Sequence, residues 1–223
     1  MGLFDWLFRS PQFKRYEDAY ALNRESLWSA LEQTVKSEQN SLNPIWLVTH
    51  FTDTFAALQN KLDQWECDYE IVAAPIDANS LERDNLLSPN TLKIVLAELI
   101  PDATPNLLEV NRDKTIAMIV VERHPNLQYD ERIIEFAKSL PFKVEFGYYL
   151  SLDDAVVSMI VGESTLTILR QLGLEEHELI TSNMVSRRLK IALRRLVDSF
   201  TGDAKADSAI EWMEQNAGKA SDS

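Results

Sequence analysis

Six consecutive apolar residues, Ile116 to Val121, constrain this chain more than any other stretch. The run is rich in β-branched side chains, and such a run predicts a strand that is covered on both faces, as in a parallel sheet. It stops at Glu122-Arg123-His124-Pro125, where polar side chains cluster. Because open α/β sheets bind ligands at the carboxyl ends of their strands, this cluster is the first candidate for a functional site.

Strand-like and helix-like segments alternate through the middle of the chain. Phe55, Leu58 and Leu62 recur at helical spacing, and Thr52 or Asp53 is the expected N-cap of that helix. The predicted strands are Ile45–Thr49, Tyr69–Ala73, Thr91–Ala97, Ile116–Val121 and Val144–Leu150. Strands separated by helical segments pair in parallel. The fold class is therefore α/β, with a parallel sheet of about five strands flanked by helices.

Helical patterns predominate on both sides of this alternating region. Helices are predicted over Tyr16–Glu38 and Met184–Phe200, and Ala209, Ile210 and Met213 indicate a last short helix. The predicted organisation is an N-terminal helical segment at 1–42, the α/β domain at 43–150, further helices at 151–200, and a short helix with a flexible tail at 201–223.

Composition disfavours some classes of partner and indicates the expected cellular compartment. The net charge of −13 disfavours nucleic acid as a ligand. A single cysteine, Cys67, forms no intramolecular disulfide and is expected to be a buried apolar filler, which suits a soluble cytoplasmic protein. The apolar segment Met1–Phe8 could touch a membrane surface, but docking on the protein's own core or on a sister subunit is the favoured interpretation.

One predicted helix carries a dense basic patch on this acidic chain. It consists of Arg187, Arg188, Lys190, Arg194 and Arg195. Two interpretations are open: a solvated face that pairs with carboxylates of the same molecule, which is favoured, and a partner-binding surface.

Several short motifs occur in the second half of the chain with fixed spacing. They are Glu122-Arg123-His124, Asp130, the run Tyr149-Leu150-Ser151-Leu152-Asp153-Asp154, Leu172-Gly173-Leu174 and Met184-Val185-Ser186-Arg187. Their order and spacing resemble the SecA preprotein-translocase motor family, where its second nucleotide-binding domain passes into the helical scaffold. Ser151 would be the N-cap of the first scaffold helix, with Asp153 and Asp154 in its first turn. The resemblance implies a RecA-like fold and a relation to protein export.

The elements that this family needs for ATP hydrolysis are missing from the sequence. No G-x-x-x-x-G-K-[ST] motif occurs. The family's arginine-containing element falls on Glu135–Phe142, with Phe136 and Ser139 at the two arginine positions. An arginine finger contributes on the order of 10³ to 10⁵ in rate, which neither an aromatic ring nor a hydroxyl can replace. A further family element, T-N-x-A-G-R-G-T-D, falls on Leu96–Ile100 and is also lost.

The leading prediction is therefore a non-catalytic protein-interaction or accessory module with no cofactor and no ATP binding. Its partner would be a second copy or a component of the export machinery. An alternative is an enzyme or metal-binding protein in which His50, Glu98, Glu122 and His124 meet at the carboxyl edge of the sheet, although no metal is expected. A third is ATP binding without turnover. These polar groups could also simply form local hydrogen bonds that fix the loop after the strand. A large distance between His50 and His124 in the folded chain would exclude a shared site.

Overall fold

The computed structural model describes residues 13–40, 43–76, 88–102, 114–140, 142–160 and 179–218. The strands in these ranges are β1 Phe13–Arg15, β2 Ala19–Ala21, β3 Ile45–Thr49, β4 Glu70–Ile71, β5 Leu92–Leu96, β6 Thr115–Val120, β7 Lys143–Ser151 and β8 Ile180–Thr181. The helices are α1 Arg24–Asn40, α2 Thr52–Gln64, α3 Leu127–Ser139, α4 Asn183–Val197 and α5 Ala209–Asn216, with a 3-10 turn at Ala97–Leu99. Residues 155–160 are also helical.

The strands form one sheet in the order β4-β5-β3-β6-β7-β2-β8, and β1 also pairs with β7. Every pairing in the described ranges is parallel except that of β2 with β8. The predicted α/β class with a mostly parallel sheet is confirmed. β6 lies between β3 and β7, so its two neighbours satisfy its backbone hydrogen bonds.

Helices cover both faces of the sheet. On one face, Leu27 and Leu31 of α1 and Leu58 of α2 pack against Leu47 and Ile119. On the other face, residues of α3, α4 and 155–160 pack against alternate residues of the same strands, among them Val48 and Val120. Because side chains alternate between the faces of a strand, both sets must be apolar. This explains the uninterrupted apolar run in β6.

The predicted helix Tyr16–Glu38 is wrong in its first two turns. The helix begins at Arg24, and Ala19–Ala21 forms β2 alongside β7. Tyr20 is buried in the core on that strand. The Asn23 side chain accepts a hydrogen bond from the Ser26 backbone at 2.8 Å and so starts the helix. Pairing with a distant strand has therefore overridden the helical spacing of Tyr20.

Other boundaries differ by less. The strand predicted at Tyr69–Ala73 is reduced to the two exposed residues of β4, and the helix predicted at Met184–Phe200 is Asn183–Val197. Ser151 ends β7, four residues ahead of the helical segment that it was predicted to cap. Its hydroxyl still accepts from the Asp153 backbone N–H at 3.1 Å.

Two further expectations concern single side chains. Asn216, in the region predicted as a short helix with a flexible tail, is buried at the end of α5. Cys67, expected to be buried, is half-buried. The segment Met1–Phe8 and the Leu172-Gly173-Leu174 motif lie outside the described residues.

Candidate functional site

Glu122, Arg123 and His124 follow β6 directly and are all buried at the carboxyl edge of the sheet. Parallel strands end at the same edge, so this motif lies beside His50, which follows β3. Each of the three side chains contacts a different neighbouring element.

Glu122 caps helix α2 from the neighbouring strand. Its Oε1 accepts hydrogen bonds from the backbone N–H groups of His50 at 2.8 Å and Phe51 at 3.0 Å, and its Oε2 accepts from the Thr54 hydroxyl at 2.7 Å. Thr52 and Asp53 were predicted as N-caps, but the N-cap is Phe51, whose side chain cannot accept. Burial raises the pKa of Glu122, and the neighbouring His50 and these donors partly oppose that.

Arg123 joins three elements through its guanidinium group. Its Nη1 donates to Asp130 Oδ2 at 2.9 Å and its Nη2 donates to Asp18, while the guanidinium lies 3.5 Å from the centre of the Tyr148 ring. Burial alone would raise the pKa of Asp130, but Arg123 and His50 hold it below its ordinary value. Asp18, on the N-terminal segment, was not identified from the sequence.

His50 forms a dyad with Asp130. Its Nε2 lies 2.8 Å from Asp130 Oδ1, and because the pKa of Asp130 is lowered, Nε2 is assigned as the donor. The other ring nitrogen, Nδ1, is buried and has no hydrogen-bond partner among the residues that the structure describes. The rings of His50 and His124 lie 5.3 Å apart, so the separation that would exclude a shared site is not observed.

His124 is packed within an aromatic cluster. Its ring stacks on Tyr129 at 4.1 Å and on Phe51 at 5.1 Å, and the edge of Trp212 meets it at 4.8 Å. Its Nδ1 accepts from the Asn126 backbone at 3.0 Å. Burial lowers the pKa of His124 to about 3, so the ring is neutral at pH 7.

The predicted ligand set is only partly assembled. His50, His124 and Glu98 line one cavity of about 370 Å³, whereas Glu122 faces a different cavity beside α2. The Glu98 carboxylate accepts from Lys205 at 2.6 Å. Within the described ranges, no group of three or more His, Cys, Asp or Glu side chains is arranged to hold a metal ion.

The cavity is covered by a C-terminal segment whose position over the sheet the sequence did not indicate. Residues 200–218, here called the C-terminal cap, cross the carboxyl edge of the sheet. Asp207 accepts from the Asp53 backbone at 3.1 Å and from the Thr52 hydroxyl at 2.6 Å, and Asp203 accepts from the Tyr129 hydroxyl at 2.6 Å. The cap therefore contacts two helices through polar groups.

Trp212 and Asn216 fix the cap from within. Trp212 is buried against His124 and Phe200, and the Asn216 side chain bonds both backbone groups of Ala204. Ile210, one of the residues that indicated this short helix, is exposed. The available sequence signal for the buried side of α5 was Trp212 followed four residues later by Asn216.

The remaining motif positions tie β7 to the helices. Asp154 is buried and accepts from Arg24 Nη1 at 3.1 Å and from the Ser151 backbone at 2.8 Å. Burial raises the pKa of Asp154 to about 6. Asp153 is exposed. These contacts connect the end of the sheet to α1.

The basic patch on α4 is fully exposed to solvent. All five side chains, Arg187, Arg188, Lys190, Arg194 and Arg195, are exposed. Among the described residues none of them forms a salt bridge. The favoured expectation of pairing with carboxylates of the same molecule is therefore not met in those ranges.

The depressed pKa of His124 predicts a pH-dependent stability. Below about pH 6.5 the unfolded chain gains a proton at His124, whereas the folded chain gains it only near pH 3. The free energy of unfolding should thus fall by about 1.4 kcal/mol per pH unit as the pH drops from 6 to 4 because of this group. The raised pKa of Asp154 acts in the opposite direction over the same interval.

A His124→Phe variant isolates the contribution of the histidine. The ring contacts with Tyr129 and Phe51 are kept, and Asp154 contributes equally to both proteins, so its effect cancels in the difference. Urea unfolding at pH 4, 5 and 6 should give a steeper loss of stability for the wild type than for the variant. Parallel pH curves would contradict this assignment.

Comparison with curated proteins finds similarity to SecA proteins. No protein-family model matches the chain. The chain is similar to the protein translocase subunit SecA of Xylella fastidiosa, with 24% identity over 217 aligned residues that cover 82% of this chain and 24% of the relative. SecA of Acinetobacter baylyi is 24% identical over 210 residues, covering 80% of this chain and 23% of that relative. The predicted resemblance to SecA is confirmed, and the chain spans about a quarter of the length of these relatives.

One solved structure is also similar. It is the C-terminal part of the Fun30 ATPase domain, with a TM-score of 0.38 and 14% identity, covering 75% of this chain and 52% of that chain. Separately, none of the helices in the described ranges is long and apolar enough to cross a membrane.

Proposed function

We propose that this protein is a non-catalytic accessory module that acts through protein contacts on a SecA-like α/β scaffold. One observation carries the proposal: the polar side chains at the carboxyl edge are already engaged in holding the fold together. Glu122 caps α2, Arg123 bridges Asp18 and Asp130, and His124 is neutral within an aromatic cluster. Catalytic groups need access to a substrate, and these three side chains are only 4–7% exposed.

The positions that correspond to the family's arginines support the same interpretation. Phe136 is buried and stacks on Trp46 at a ring distance of 6.4 Å, so this position belongs to the core. The Ser139 hydroxyl donates to the Phe136 backbone oxygen. Neither position offers a positive charge to a phosphoryl group.

The C-terminal cap gives a further reason. It lies over the edge where open α/β sheets bind ligands, so a nucleotide would have to displace Trp212 and Asp207. The proposed relation to protein translocation rests on the similarity to SecA, and a cytoplasmic location is part of the same proposal. The expected partner is a protein, either a second copy or an export component.

ATP binding and turnover provide the direct test. Purified full chain should give no phosphate release above the blank and no saturable binding of labelled ATP in equilibrium dialysis with Mg²⁺. A Trp212→Ala variant, in which the cap is loosened, should behave in the same way, because the sequence contains no P-loop and has Phe136 and Ser139 at the family's arginine positions. A SecA protein serves as the positive control. Stoichiometric ATP binding by either form would contradict the proposal.

The alternative is a site built from His50, Glu98 and His124, favoured by their common cavity and by the unpartnered Nδ1 of His50. Metal analysis of the same purified protein distinguishes it. Stoichiometric zinc or iron would favour this alternative, whereas a content below about a tenth of an equivalent is expected for the accessory module, since structural zinc sites bind too tightly to be lost in purification.

A further inference from the structure

Helix α4 presents cations on one face with an apolar side chain at the centre. Its fifteen residues contain no Asp or Glu, so no carboxylate within the helix can offset the five cations. Ile191, between them, is 42% exposed. Like charges three and four residues apart on a helix repel, as do Arg187, Lys190 and Arg194. Such a face is stabilised when an opposite charge covers it.

A groove runs along one side of this face. It encloses about 610 Å³ between α4 and the helical segment 155–160. Met159 on its far wall is 51% exposed. The lining residues are Met159, Ile160, Arg188, Ile191, Ala192, Arg195, Leu196 and Ser199. The groove is thus apolar along its floor and cationic at Arg188 and Arg195.

The spacing of the two cations in the groove indicates which kind of ligand would fit. Arg188 and Arg195 are seven residues apart on one helix, which corresponds to about 10 Å along its axis. A partner helix lying in the groove would match this with two carboxylates seven residues apart on one side and apolar residues at i, i+3 and i+7 on the other.

We propose that this groove binds an acidic amphipathic helix of a partner protein. The inference rests on the proposed function, since it names the surface and the partner chemistry of the interaction module. Charge complementarity selects the occupant. A second copy docking through the same face would bring Arg188 and Arg195 against the same two arginines of the other copy. A nucleic acid carries a charge on every phosphate, so the net charge of −13 repels it more strongly than a helix with two matched carboxylates.

A peptide pair tests the groove in solution. The probe is a fluorescein-labelled 18-residue helix with Leu at i, i+3 and i+7 and Glu at two flanking positions seven residues apart, and its control is a scrambled peptide of equal charge. The wild-type chain should bind the probe and bind the scrambled peptide at least about tenfold more weakly, because only the probe presents one apolar face.

Matched charge reversals locate the binding site. R188E/R195E should weaken probe binding about a hundredfold, because like charges brought together oppose docking by several kcal/mol. R187E/K190E makes the same charge change on the other side of α4 and should alter binding by no more than about threefold, since exposed charges outside the contact are screened. All four side chains are exposed, so unfolding curves should be unchanged. Equal weakening by both variants, or no binding by the wild type, would overturn the proposal.

Photo-crosslinking in cells separates this inference from the proposed function. A benzoylphenylalanine is placed at Ile191 or, as a control, at the exposed Asn60 on α2. The proposal is supported by an adduct at Ile191 that maps to an acidic amphipathic segment of the partner. This adduct should be lost in R188E/R195E and kept in R187E/K190E. An adduct at Asn60 alone would leave the interaction module standing and overturn the groove. Adducts at neither position would overturn both.

Discussion

Replacing Arg123 with methionine is expected to lower the free energy of unfolding by about 3–5 kcal/mol, the cost of removing one partner from a buried charge pair. The side chain of Arg123 is 7% exposed, and those of its partners Asp130 and Asp18 are 0% and 4% exposed. Methionine has a similar length, so the main loss is electrostatic: Asp130 would keep only its contact with His50, and Asp18 would keep only its ion pair with the partly exposed Arg15. The unfolding free energy of a domain is typically about 5–15 kcal/mol, so this one change would remove a large part of it.

The control is an ion pair on the surface. Lys138 pairs with Glu135 at 2.7 Å on α3, and both side chains are exposed. Lys138→Met should change the unfolding free energy by less than about 1 kcal/mol, because solvent screens such pairs. Urea unfolding followed by tryptophan fluorescence measures both variants. An Arg123→Met effect no larger than that of Lys138→Met would refute the assigned role of Arg123.

A double variant shows whether the loss comes from the stranded charge. Asp130→Asn removes the charge that Arg123 neutralises, so the loss in R123M/D130N should be smaller than the sum of the two single losses. A coupling of about 1–3 kcal/mol is expected for residues in direct contact. Additive losses would mean that the two side chains act independently. The outcome therefore tests the network itself and not only the importance of one residue.

The Arg123 network gives the Glu122-Arg123-His124 motif a structural role. Arg123 reaches Asp18 before β2, Asp130 in the first turn of α3 and Tyr148 on β7. These three elements are remote in sequence, and one guanidinium group contacts all of them. The motif therefore holds the geometry of this edge of the sheet.

The central sheet could be predicted because its signal is local. β6 and its neighbour β3 are covered on both faces, so each is predicted from the apolar run in its own residues, and in β5 only Lys93 interrupts such a run. β2 could not be predicted in this way. Its three residues form a strand only because the β7 backbone, about 130 positions later, offers an edge to pair with.

The candidate site likewise contains residues that could be predicted from the sequence and residues that could not. His50 and His124 could be brought together from sequence because the strands that precede them are parallel neighbours. Asp18 and Trp212 could not, since they reach the edge from the two ends of the chain. The helix α5 was predicted from Ala209, Ile210 and Met213, and eight residues are too few for periodicity to show that Trp212 is the one that packs inward.

Replacing Trp212 with alanine is expected to detach the C-terminal cap at a cost of about 3–5 kcal/mol in unfolding free energy, the usual loss for a buried tryptophan. Trp212 is 2% exposed and meets the rings of His124 at 4.8 Å and Phe200 at 4.7 Å. Ile210 on the same helix is 56% exposed, so Ile210→Ala is the matched control and should cost less than about 1 kcal/mol.

Detachment of the C-terminal cap should change the titration of His124, whereas a general loss of stability should not. The pKa of His124 is held at about 3 chiefly by burial, and Trp212 forms one wall of its pocket. Water entering at the Trp212→Ala void should raise that pKa toward the ordinary value of about 6.5. The chain has three histidines, so an NMR titration can follow each ring separately. Amides of residues 200–218 should also exchange faster than those of β6. An unchanged His124 titration in a destabilised Trp212→Ala protein would mean that Trp212 contributes packing alone and that the cap does not seal the edge.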